Sequence, residues 1–161
     1  MYIYNDQKVS FDIKVKELMD REPLVISLDT DLATVVKQMA DSNKEVAIVM
    51  DRTKVKGILR FSDLCYAIKV YILEKLLAEK IPFEVRKMQV EELMQNPTLR
   101  EICAKCGFDG QGPPIAVEEN STVADAIQIM ASSGLDTLLV KRGTKDPSIL
   151  TDHDVIKVFK K

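Results

Sequence analysis

From residue 24 onward, short apolar runs alternate with amphipathic stretches, and the succession occurs twice. Leu24 to Leu28 is an apolar-rich run that predicts a strand, closed by the polar Asp29-Thr30-Asp31, whose side chains suit a helix N-cap. Leu32, Val35, Val36 and Met39 then recur at helical spacing, which predicts a helix with one buried face. An apolar run (Val46 to Met50), a polar turn and a short strand (Val55 to Leu59) lead to a second helix opening at Ser62-Asp63. From residue 115 the order returns: a strand at Ile115 to Val117, capping residues Asn120-Ser121-Thr122, and a helix face of Val123, Ala126, Ile127 and Met130. It closes with apolar runs at Leu138 to Val140 and Ser148 to Leu150, then a helix near Asp152. Strand, helix, strand, strand, helix in each copy predicts an α/β or α+β class built on two small sheets.

The two copies also match residue by residue. With residue 23 placed on residue 114, Pro23 falls on Pro114, Ala33 on Ala124, Met39-Ala40 on Met130-Ala131, Val49 on Val140 and Asp63 on Asp154. A shorter match, at another offset, pairs Val15-Lys16-Glu17-Leu18-Met19 with Val90-Glu91-Glu92-Leu93-Met94. The change of offset requires extra residues in the second copy between Met94 and Pro114, a stretch that contains Cys103 and Cys106. The organisation predicted is an N-terminal segment (1–13), a first repeat (14–68), an inter-repeat helix and linker (69–87), and a second repeat (88–161) with an insertion at about 95–113. The apolar stripe Ile68, Ile72, Leu73, Leu76 and Leu77 predicts one long helix from Asp63 to Lys80, ended or kinked by Pro82.

Composition narrows the function classes. At 46% apolar and 30% charged residues, the chain is expected to form a packed core throughout. A formal net charge of −2 provides no overall positive field for nucleic acid or an anionic membrane. No apolar run approaches the roughly 20 residues needed to cross a bilayer, and the first ten residues have no signal-peptide pattern. A cytoplasmic protein is expected, and three cysteines argue against a disulfide framework.

These residues carry a family resemblance. The opener Val-x-x-Leu-Met, the strand and helix after it, and the closing blocks Gly57-Ile58-Leu59-Arg60-Phe61-Ser62-Asp63 and Ser148-Ile149-Leu150-Thr151-Asp152-His153-Asp154 resemble the CBS domain. Two in tandem resemble a Bateman module. The resemblance implies two pseudo-symmetric repeats packed through their sheets, with clefts for AMP, ADP, ATP or S-adenosylmethionine, and frequent pairing into a dimer. It implies a non-catalytic regulatory module signalling to a partner protein, with AMP or ADP the favoured ligand.

The chemistry of the closing block is consistent with that role. A carboxylate can accept hydrogen bonds from the 2′ and 3′ hydroxyls of a ribose, the role expected of Asp154. The hydroxyl of Thr151, near a helix N-terminus, suits a phosphate oxygen. Ile115, Ala116, Leu138 and Leu139 match the positions of an adenine slot. The competing reading is that Thr151 or Asp154 caps the last helix and binds nothing. In the first copy Asp63 remains, but Arg60 stands where the hydroxyl would be, either to pair with a phosphate or to fill the cleft. Asp136 and Thr137 stand where some nucleotide-binding relatives carry basic residues, which lowers the expectation for a triphosphate more than for AMP.

Cys103-Ala-Lys-Cys106 resembles one knuckle of a zinc ribbon, but tetrahedral zinc needs about four ligands and only Asp109 and His153 are other local donors. No complete metal site is expected within one chain; a second chain meeting it at the insertion could supply the other pair of thiolates, and free thiols or a local disulfide are the alternative. His153 is the only histidine, and side chains two apart, such as Asp152 and Asp154, do not face each other on a helix. No catalytic constellation follows. A structural dimerisation or protein-interaction module without nucleotide remains the alternative function.

Overall fold

The protein is described by a computed structural model covering residues 12–62, 64–66, 69, 89–95 and 115–160. It divides into two compact units, one running from Glu22 to Ile115 and the other joining the chain up to Arg21 with Ala116 onward. The predicted Asp63 to Lys80 helix falls mostly outside the described residues, although residues 61, 62, 64–66 and 69 are helical.

In the first unit, β1 (Leu24–Ser27), α1 (Leu32–Ser42), β2 (Val46–Asp51) and β3 (Lys54–Arg60) follow in the predicted order, with α2 (Val90–Gln95) after them. The second unit repeats it as β4 (Ala116–Glu118), α3 (Val123–Ser133), β5 (Thr137–Arg142), β6 (Lys145–Thr151) and α4 (Asp152–Ile156). Each sheet has three strands: the first and second pair in parallel across the helix crossover, and the second and third form an antiparallel hairpin.

The sequence alignment holds at the level of individual strand partners. Val25↔Ile48, Ile48↔Ile58 and Val46↔Arg60 in the first sheet become Ala116↔Leu139, Leu139↔Ile149 and Thr137↔Thr151 in the second. The irregularity in each hairpin follows the aligned residues Val49 and Val140. Helix ends obey the same alignment. Asp31 and Thr122 are N-caps that accept from the backbone N–H of Thr34 (2.7 Å) and Asp125 (3.2 Å), while Asn43 and Gly134 close the helices in left-handed conformation.

One aligned pair is unequal. The β5–β6 turn places Gly143 at φ 66, and the first hairpin places the exposed Arg52 at φ 55. A left-handed non-glycine residue costs about 1–2 kcal/mol, partly offset by the greater freedom of glycine in the unfolded chain. Arg52→Gly is therefore expected to raise the melting temperature by roughly 1–2 °C. A lower melting temperature would show that the turn uses Arg52 for something other than its backbone.

The openers exchange places between the copies. The Val15–Glu17 3-10 turn belongs to the unit of the second sheet, where the Val15 N–H donates to the Ser121 carbonyl (2.8 Å) and the Lys16 N–H to that of Glu119 (3.0 Å). Reciprocally, the Val90 N–H donates to the Thr30 carbonyl (3.0 Å) and the Glu91 N–H to that of Leu28 (2.9 Å). Val15, Leu18 and Met19 are buried with Val117, Val123, Ala126, Met130, Leu138, Val140 and Leu150. The buried Ser148 hydroxyl donates to the Asp20 carbonyl, so the strap also satisfies a polar group in the sheet.

Candidate functional site

Strand alternation sorts the residues of the second sheet onto two faces. Leu138, Val140 and Leu150 lie on the face packed with the helices and opener, within one core cluster. Thr137, Leu139, Ile149 and Thr151 alternate with them, and Ala116 is the β4 partner of Leu139, so these five share the opposite face. The structure thus brings Ala116, Leu139 and Thr151 together. Leu138, adjacent in sequence and fully buried, belongs to the helix-facing core, and Ile115 is exposed just before β4.

Thr151 ends β6 and is the N-cap of α4, where it forms a reciprocal capping box with Asp154. The Thr151 Oγ1 accepts from the Asp154 N–H (3.3 Å), while the Asp154 Oδ2 accepts from the Thr151 N–H (3.0 Å) and its hydroxyl (3.1 Å). Nζ of Lys157, one turn further on, donates to the other carboxylate oxygen, Oδ1, at 2.9 Å. Asp154 is only 8% exposed, so its charge is stabilised by these partners rather than by bulk water. Capping and ligand binding need not exclude each other, because a carboxylate offers about four acceptor positions.

Thr137, which is directly across from Thr151, is buried and donates its hydroxyl to the Asp136 carboxylate (3.1 Å). Arg142 stands 3.7 Å from Glu119, and Lys141 is exposed. His153 is exposed on α4. In the first unit Arg60 ends β3 opposite Val46, while Asp63 lies outside the described residues, as do Cys103, Cys106 and Asp109. Cys65 is a free thiol, and among the described residues no group of three or more His, Cys, Asp or Glu is placed to hold a metal. No helix among them is long and apolar enough to cross a membrane.

A separate groove of about 450 Å³ runs between α3 and α4, lined by Ile127, Met130, Leu135 and Val155 together with Asp136 and Asp152. It does not include Ala116, Leu139 or Thr151. Lys157 is the one neighbour of Asp154 among the described residues that no motif in the sequence marks. Its position three residues after Asp154 on a helix was the available signal.

Comparison with known proteins bears on the family and the fold. The family model described as CBS domain matches residues 15–70 and 109–161. The fold is similar to that of the CBS-domain containing protein ATU1752 from Agrobacterium tumefaciens, at 16% identity and a TM-score of 0.63, covering 99% of this chain and 98% of that one. It is also similar to CBSX2, solved in complex with AMP, at 17% identity and a TM-score of 0.59, covering 92% and 96% of the two chains. A hexameric CBS-CP12 protein from bloom-forming cyanobacteria matches at 16% identity and a TM-score of 0.63, over 91% of this chain and 68% of that one. At these identities the likeness is one of fold. No curated protein matches the chain by sequence.

Proposed function

The chain belongs to the CBS-domain family, and from that premise we propose that it is a non-catalytic regulatory module whose second repeat binds an adenosine-containing nucleotide, AMP or ADP foremost. Bound nucleotide is reported to a partner protein in the cytoplasm. The observation that carries this reading is the grouping of Ala116, Leu139 and Thr151 on one sheet face, with the Asp154 carboxylate held against Thr151. Ala116, half-buried beside the buried Leu139, offers apolar surface for a base, Asp154 offers acceptors for a ribose, and the Thr151 hydroxyl can turn toward a phosphate. A fold-level relative solved in complex with AMP supports the ligand class. Asp136, in the strand connection beside Thr137, brings negative charge and favours a monophosphate or diphosphate over a triphosphate.

A panel of adenine nucleotides in a thermal-shift assay tests the reading, because a ligand bound only by the folded state stabilises it by mass action. AMP at about a hundred times its dissociation constant is expected to raise the melting temperature by roughly 5–10 °C. No shift with any of the nucleotides, AMP, ADP, ATP or S-adenosylmethionine, would favour the second reading, a structural interaction module. The capping box supports that alternative, since it gives Thr151 and Asp154 a role without any ligand.

A homodimer is the assembly proposed, from the family habit and from apolar side chains left exposed, such as Val25 and Ile156. Light scattering is expected to give twice the 18.2 kDa of one chain. A mass that stays at the monomer value across a wide concentration range would refute it.

A further inference from the structure

Counting acceptor positions on Asp154 leads to a residue with an unassigned role. An ionised carboxylate has about four lone-pair sites. Three are in use: the Thr151 N–H and hydroxyl donate to Oδ2, and Lys157 Nζ donates to Oδ1. One position is left on Oδ1, enough for a single hydroxyl, whereas the diol of a ribose brings two. We propose that Lys157 sets how strongly the site distinguishes ribose from 2′-deoxyribose, by holding an acceptor position on Asp154 that the second ribose hydroxyl needs. The inference rests on Asp154 being the ribose acceptor.

The physical terms favour a displaceable lock. The Lys157 side chain is 56% exposed, and an ion pair that open to water is worth little and is weakened by salt. The Thr151 donors are held by the helix start itself and are harder to remove. A nucleoside without phosphate gives the Thr151 hydroxyl no reason to turn away from Asp154. Adenosine is therefore the ligand for which Lys157 must move, and 2′-deoxyadenosine, with one sugar hydroxyl fewer at this edge, fits the position already open.

The experiment is calorimetric titration of adenosine, 2′-deoxyadenosine and AMP into the full chain and into its Lys157→Met and Asp154→Ala variants. Lys157→Met is expected to tighten adenosine by about threefold to tenfold, the worth of one recovered hydrogen bond, and to leave 2′-deoxyadenosine within about twofold. Equal tightening of both nucleosides would overturn the inference, because it would show a general charge effect. Unchanged adenosine with weakened AMP would overturn it too, by making Lys157 a phosphate ligand. If Asp154→Ala binds adenosine and AMP as the parent chain does, the underlying ribose assignment fails first. Loss on Asp154→Ala without ribose selectivity in Lys157→Met removes this inference alone, and absence of binding by every protein removes both. Melting curves check that Lys157→Met, a change at an exposed position, leaves the fold intact.

Discussion

Asp154→Ala is expected to weaken AMP binding by roughly 30-fold to 1000-fold, the equivalent of about 2–4 kcal/mol for two hydrogen bonds to a charged acceptor. The same substitution removes half of the capping box, and the loss of such a cap costs about 1 kcal/mol of stability. These two effects have to be separated. Asp154→Asn retains an oxygen that can accept from the Thr151 N–H and gives up the charge, so it should fold nearly as well as the parent while still binding AMP far more weakly. Calorimetry giving equal affinity for the parent and both variants would sink the assignment of Asp154. Weak binding by the alanine variant alone would indicate that the cap, rather than the carboxylate, is what the site requires.

The fold was legible because each copy carries its own local signals and the copies agree. Asp31 and Thr122 are side-chain acceptors at aligned positions, and both cap a helix; Asn43 and Gly134 tolerate the left-handed conformation, and both end one. Strand registers follow from the same apolar alternation. The site was only partly legible. Leu138 and Leu139 read as one apolar run, but adjacent residues of a strand point to opposite faces, so only Leu139 shares a face with Ala116 and Thr151. The Lys157 contact hides in a helix-period spacing that, by itself, marks many solvated lysines.

The exchange of openers was not legible at all, for a physical reason. Two similar sheets present similar docking edges, so the duplication of Val15 to Met19 in Val90 to Met94 does not reveal which sheet each opener joins. Chain order suggests its own repeat. The hydrogen bonds from Val15 to Ser121 and from Val90 to Thr30 reverse that order, and each copy in space is completed by a segment of the other.

This exchange makes Leu18→Ala a test of architecture as well as of stability. Leu18 is 4% exposed and packs in the cluster of Val117, Val123, Leu138 and Leu150, so truncating it removes buried methyl groups and leaves a cavity. The expected loss is about 2–5 kcal/mol, with the lower end applying if the 3-10 turn can settle inward. Its location is the sharper readout, because local opening follows the packed unit rather than the chain order. Hydrogen exchange is expected to accelerate in β4, β5 and β6 and in α3, while amides of β1, β2 and β3 keep their protection. If the loss of protection falls instead on residues 24–60, Leu18 stabilises its own sequence repeat in solution, and the exchange of openers is refuted.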